Sequence, residues 1–243
     1  MLYPTELRAR PGFLSSWRRL RQAVGLAVVL GVSTVGAVPA GVERAGGGGW
    51  LVDGEEVAVV DVVVPAGRDP ALPEGASVAE QRGVDRWGRR RVALADAAGV
   101  PLAGRWVAEG EALVDPDAGD EAAAVLLPLE VLARDARLGI WAERRWRVQD
   151  ARDVRGSTGD LVLVEGAVQA VGWGGDRLYL NFGDDRRQDF TARIGRADVR
   201  KLARAGLELE DLAGRRVRLR GWLSYLGGPM IELSGRAQIE VLP

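Results

Sequence analysis

The chain contains no histidine and no cysteine in 243 residues. Without them, no Ser-His-Asp or Cys-His nucleophile system can be assembled. Zinc sites with nitrogen or sulfur ligands are excluded as well. No disulfide can form, so cysteine usage is silent about the redox compartment. Any metal held here has to be a hard cation on carboxylate and carbonyl oxygens. Lysine is almost missing too. Lys201 is the single lysine among 33 basic residues, the rest being arginine. With so much Ala, Gly, Val and Leu, this reads as coding bias, and arginine richness is given no functional weight.

What is present is enough for a packed core. Hydrophobic residues make up 47% of the chain, and the length suits one or two domains. Residues 1–22 carry Arg8, Arg10, Arg18, Arg19 and Arg21 against one acid, Glu6. An uncharged apolar run follows from Ala23 to Ala37, and Val38-Pro39-Ala40 ends it with a small-residue site. Basic region, apolar region and small-residue exit are the order of a secretory signal. The expected location is therefore exported, periplasmic or extracellular. The alternative is an uncleaved inner-membrane anchor at 23–40, although the run is short of the roughly 20 apolar residues of a membrane span. Removing residues 1–40 takes away five arginines and one glutamate. That leaves 28 basic and 33 acidic residues, net −5. A chain of that sign is not steered as a whole toward nucleic acid, so binding there has to come from a local patch.

Glycines 46–49 read as part of a flexible linker over 41–49, or else as a degraded first strand. Leu51–Val64 reads as a hairpin turning at Asp53-Gly54, with its second strand over 56–64. Pro65–Gly83 reads as a loop, Arg90–Ala95 as a strand and Leu102–Gly110 as a short helix. Glu121–Leu138 is the clearest helix, with an apolar stripe of Leu126, Leu129, Val131, Leu132 and Ala136, and with Gly139 as its stop. Pro128 interrupts that pattern. Residues 142–160 are charged and irregular, and a linker is placed at 146–160. Beyond it, strands are expected at about 161–171, 177–182 and 188–194, a helix at 196–205, and strands at 215–223 and 229–241. Three strands, a helix and two strands are the order of an OB-fold, a small Greek-key barrel. The fold expected is mainly β with α, two OB-type five-stranded barrels, over 50–145 and 161–243.

Three stretches of the first region resemble the staphylococcal (thermo)nuclease family. Asp85-Arg86-Trp87-Gly88-Arg89, running into Val92-Ala93-Leu94-Ala95, is similar to that family's Asp-x-aromatic-Gly-Arg approach to a strand. Leu102–Val114 (LAGRWVAEGEALV) is similar to its short helix and G-x-A-x-V segment. Leu126–Trp141 (LLPLEVLARDARLGIW) resembles its last helix. The resemblance covers roughly residues 50–145. It implies a barrel carrying helices, and a chemistry in which calcium clamps the phosphate, arginines neutralise charge and a glutamate activates water. Anchored on Pro65, however, the family's strand arginine falls on Ala58, its metal-ligand aspartate on Val63, its threonine on Val64 and its general-base glutamate on Ala66. Gly46–Gly49 occupies the place of the early calcium aspartate. Arg89 is the only catalytic position matched. Valine and alanine neither hold calcium nor take a proton, so a non-catalytic protein is expected, with no cofactor. The alternative is a calcium-dependent phosphodiesterase using displaced carboxylates, for which Asp53, Glu55, Glu56 and Asp61 are the nearby acids.

The stretch 161–242 resembles companion OB domains that follow degenerate nuclease domains in bacterial exported proteins. With Leu178, Leu180, Phe182, Phe190, Ala192 and Ile194 facing inward, Arg177, Tyr179, Asn181, Thr191 and Arg193 share the outer face. Two arginines and a stackable tyrosine suit single-stranded nucleic acid, with Trp173 and Trp222 as possible extensions of the platform. Against this, residues 160–243 hold 13 basic and 12 acidic residues, the balance of a solvated face of paired charges. The Arg216, Arg218, Arg220 row reads as a solvated outer face rather than a phosphate track, and the two acids of Asn181–Asp185 as turn chemistry rather than a cation site. The partners expected are single-stranded nucleic acid or an envelope protein. A purely structural envelope role is the remaining alternative. The membrane enters only through the N-terminal segment, and the sequence leaves the oligomeric state open.

Overall fold

The computed structural model describes residues 41–45, 49–85, 87–185 and 188–243. The export signal and its alternative, the anchor, lie outside the described residues. Among these, sixteen strands in four sheets and three α-helices form a mainly β, α+β protein. No helix among them is long and apolar enough to cross a membrane. They divide into two compact units, 41–115 with 124–142, and 116–123 with 143–243.

The first unit is built on a five-stranded sheet. Its strands are β1 (Val42–Arg44), β2 (Trp50–Val52), β3 (Glu55–Val59), β5 (Ser77–Val84) and β6 (Arg90–Ala95), in the order β1-β2-β3-β6-β5. Val42–Arg44 is thus a strand, not linker. The strand expected over 56–64 stops at Val59 and resumes as β4 (Val62–Val63), because Asp61 adopts φ 66. β4 pairs with β7 (Leu113–Val114). The loop expected over 65–83 holds β5, the longest strand. It lies at the sheet edge, is mostly exposed, and slips register twice against β6, so no period-2 pattern survives in its sequence.

Helix α1 (Leu102–Ala108) places Trp106 in the core. Its ring stacks on Trp50 at 4.8 Å, with the Arg44 guanidinium 3.6 Å from the Trp50 centroid. Helix α2 (Asp120–Asp135) runs unbroken through Pro128. Its buried stripe in this unit is Leu126, Leu129, Glu130 and Ala133, the i, i+3, i+4, i+7 set of one helix face. Val131 and Leu132, expected in that stripe, are only half-buried.

In the second unit the strand expected over 161–171 changes sheet at Val168. Its first part, β9 (Leu161–Ala167), pairs with β8 (Gln149–Asp150) and β13 (Arg216–Trp222), and β16 (Ile239–Val241) completes that sheet. Residues 149–150, expected in a linker, are therefore sheet. The second part, β10 (Ala170–Gly174), begins another sheet with β11 (Arg177–Asn181), β12 (Thr191–Gly195), β14 (Ser224–Leu226) and β15 (Gly228–Leu233), in the order β10-β11-β12-β15-β14. No strand pairing closes either sheet on itself among the described residues. Helix α3 (Arg196–Arg204) follows β12. One core joins both sheets, with Leu178, Leu180, Phe190, Ile194, Leu219 and Ile231 fully buried. The expected single strand over 229–241 breaks after Leu233 and resumes at Ile239. The buried Gln238 side chain accepts from Ser234 and Gly235 and donates to the carbonyls of Arg220 and Glu232.

Candidate functional site

Alternation along β11 and β12 sets the outer face of the second unit's larger sheet. Leu178, Leu180, Ala192 and Ile194 are fully buried beneath it. Arg177, Tyr179 and Asn181 stand opposite them, and the register pairs Tyr179 with Arg193 and Asn181 with Thr191. All five residues expected from the sequence therefore share one face. What the sequence did not reveal is that β10 contributes Gly172 and Gly174 to that face, opposite Tyr179 and Arg177. A Cβ on Gly174 would lie 2.9 Å from the Tyr179 ring, so the ring rests where a side chain would be. A Cβ on Gly172 would meet nothing within 4 Å.

The result is a groove of about 350 Å³, lined chiefly by Gly172, Tyr179, Asn181, Thr191, Leu226 and Met230. Its end is shaped by Asp189, whose carboxylate accepts from the Asp185 amide and fills the side-chain space of Gly183. Asn181 is 5% exposed, and no side-chain hydrogen bond is made by it, by the Tyr179 hydroxyl or by the Thr191 hydroxyl among the described residues. The polar atoms of Asn181 are not enclosed, since they open onto the groove, where a ligand or water can bond to them. An aromatic ring beside an amide and a hydroxyl can take a flat polar ring against Tyr179 and read its edge.

The arginines are arranged differently from the expectation of a basic platform. Arg177 and Arg193 converge on one carboxylate, that of Glu232 on β15. Burial pushes the Glu232 carboxyl up, but the hydrogen bonds and charge of Arg193 and then Arg177 outweigh it and hold it below the ordinary carboxylate range. Trp173 borders the groove, yet its indole donates to Glu210 at 2.8 Å and Arg196 lies over the ring at 4.3 Å. Trp222 does not line the groove, although it is partly exposed. The Arg216, Arg218, Arg220 row is solvated only at its Arg216 end and is ion-paired throughout. Glu165 holds Arg216 and Arg218, Glu240 holds Arg218 and Arg220, and Arg220 is buried.

In the first unit, Arg89 is clamped. Its Nε donates to Asp85 at 2.8 Å and its Nη1 to Glu56 at 2.9 Å, which consumes its charge locally. Asp85 also accepts from the amides of Trp87 and Arg89, which makes it a turn cap. Of the other nearby acids, Glu55 faces Arg90 at 3.3 Å, Asp61 takes Arg82 at 2.7 Å, and Asp53 sits in the tight turn with φ 54. Ala58 and Val63 are half-buried and Ala66 is exposed. Among the described residues, no three His, Cys, Asp or Glu side chains come together in a way that could hold a metal ion. Neither the family models nor the curated proteins compared with the chain match it. The nuclease resemblance therefore stands on residue types and their spacing.

The same ion pairs set the pH response. Hydrogen bonding from Arg82, opposed by burial, lowers the Glu80 carboxyl. At Asp85 the hydrogen bonds from Arg89 and two amides outweigh burial, and at Asp150 those from Arg152 dominate. Each folded carboxyl is below its unfolded value, so its contribution is present above the unfolded pKa and is lost as pH falls through and below that value. No histidine titrates near neutrality. The urea midpoint is thus expected to stay level from about pH 6 to 8 and to fall below about pH 5. A step between pH 6 and 8 would contradict this assignment.

Proposed function

We propose that this is an exported, nuclease-like protein that does not hydrolyse phosphodiesters and acts as a binding module, taking single-stranded nucleic acid in the groove over Tyr179. The observation that carries the reading is the open groove, where a half-buried aromatic ring and two unpartnered polar side chains face space left by Gly172. Stacking of bases on an aromatic face is one of the two elements by which single strands are held, the other being a basic groove along the backbone. In the second unit β8 to β12 precede helix α3 and β13 to β16 follow it. With β9 and β10 taken as one strand bent at Val168, and β8, β14 and β16 as short additions, the order supports an OB-type barrel, and such barrels bind on the face of their second and third strands. β11 and β12 hold those positions. In the first unit, aliphatic residues at the aligned acid positions and a clamped Arg89 support loss of the hydrolytic reaction. Export rests on the order of charges and apolar residues before Ala40.

The test is fluorescence anisotropy with a labelled dT octamer. Gly172→Leu, which fills the groove without touching the fold, is expected to weaken binding at least tenfold with an unchanged melting temperature. Tyr179→Ala is expected to cost about 1–3 kcal/mol of binding. Equal affinity of the Gly172→Leu protein and the wild type would remove the groove from the account. The same octamer incubated with millimolar calcium is expected to stay intact. Cleavage that disappears in Arg89→Ala would restore the enzyme reading.

A further inference from the structure

Beside the groove, Arg177 and Arg193 hold the Glu232 carboxylate as they would hold a phosphate. Arg177 reaches Oε1 and Arg193 reaches Oε2, the latter at 3.0 Å. All three side chains project from the outer face, and Arg193 is the direct register partner of Glu232. Arg193 is also the cross-strand neighbour of Tyr179. Two guanidinium groups that each take one oxygen of the same anion form a two-pronged oxyanion seat. Glu232 is 48% exposed, Arg177 34% and Arg193 27%, so the contact lies within reach of solvent, where ion pairs are weak and easily exchanged. The Arg193 Nε is buried without a hydrogen-bond partner, a donor left over even with Glu232 in place. A further cation, Arg196, stands near the same end of β11. It bonds to the Gly175 carbonyl and lies over Trp173.

We propose that Arg177 and Arg193 form a phosphate seat that Glu232 occupies in the free protein, so that Glu232 sets how strongly the groove selects phosphate-bearing strands. The proposal rests on the groove being the binding site. An internal carboxylate has to be displaced before a phosphate can sit, which weakens binding of the charged backbone while leaving contacts to Tyr179 and Asn181 intact. Affinity in the wild type then depends on the base and little on salt. Removing the Glu232 charge frees two cations at once.

Glu232→Gln keeps the size of the side chain and removes its charge. Inorganic tripolyphosphate has no base to lie on Tyr179, so its binding at low salt, read by calorimetry, reports the seat alone. Glu232→Gln is expected to bind it at least tenfold more tightly than the wild type, and Glu232→Gln with Arg193→Ala to lose that gain. With the dT octamer, Glu232→Gln is expected to gain at least tenfold and to steepen the dependence of log K on log salt by about 1.4, the value for two further phosphate contacts on a single strand. Equal tripolyphosphate binding by wild type and Glu232→Gln would overturn the seat, even where Gly172→Leu still abolishes octamer binding. A gain for tripolyphosphate with none for the octamer would keep the seat and overturn the groove as a nucleic-acid site. Melting curves of the Glu232→Gln protein that overlay the wild type show that the fold is retained.

Discussion

Gly139→Ala is expected to destabilise the first unit by about 3–5 kcal/mol, from a left-handed backbone that alanine resists and from overpacking against fixed atoms. Gly139 has φ 49, and a Cβ there would lie 2.1 Å from the Gly110 carbonyl oxygen. Gly110 has φ 72, and its own Cβ would lie 2.4 Å from the Leu138 carbonyl oxygen. The two backbones therefore touch. They are held by the Ile140 amide donating to the Gly110 carbonyl at 2.8 Å, beside the buried Ile140 and Trp141. The obstructing atoms are backbone, so no side chain can move aside. Urea unfolding followed by tryptophan fluorescence reads the loss. Gly104→Ala is the control. It lies in α1 with a Cβ 3.7 Å from Leu129, an ordinary contact, and is expected to be neutral or to stabilise by up to about 1 kcal/mol. A Gly139→Ala protein as stable as the Gly104→Ala protein would refute the account of this contact.

Glu130→Ala is the second large effect, at about 3–5 kcal/mol, the cost of removing one partner from a buried ion pair. The Glu130 side chain is completely buried in the apolar stripe of α2. It accepts from the Val114 amide at 2.8 Å and faces Arg134 at 3.6 Å, one helical turn on. Arg134 lies over Trp141 at 5.6 Å. Alanine would remove the carboxylate that accepts from the Val114 amide, strip Arg134 of this acid partner and open a cavity, three costs of the same sign. Glu130→Gln keeps the acceptor for Val114 and is expected to recover about half of the loss, since a charged hydrogen bond is roughly twice as strong as a neutral one. Stability of Glu130→Ala within about 1 kcal/mol of wild type would show that this carboxylate anchors nothing.

Much of the chain was legible because its chemistry is local. The alternation of Leu178 and Leu180 with Tyr179 and Asn181 placed the future groove face correctly. Gly206 ended its helix where expected, because a chain that leaves a helix through positive φ favours glycine. The helix expected to run to Gly139 instead stops at Asp135 and leaves through Arg137 at φ 53. The expected bounds of β6 and of α3 lie within one residue of those observed. β5 was missed because an exposed edge strand with register slips has no apolar period to read. Glu130 was missed because periodicity marks charged residues as outward, and only the fold brings to its carboxylate the Val114 amide and Arg134, the partners that its burial requires. Gly172 was missed for the opposite reason. A glycine in a strand signals close approach or empty space, and the sequence does not distinguish the two.

Residue types in order settled what chemistry is unavailable here: no imidazole, no thiol, and no carboxylate at the positions where the nuclease resemblance calls for them. They also settled which side chains of β11 and β12 share a face, since a strand's period is a property of its own backbone. Pairing between distant segments settled the rest. It turned Arg177 and Arg193 toward Glu232 on the outer face, and Arg89 onto Asp85 and Glu56, because a guanidinium takes the nearest acid that the fold supplies. It also left Gly172 facing open space, with nothing among the described residues within 4 Å of where its Cβ would lie.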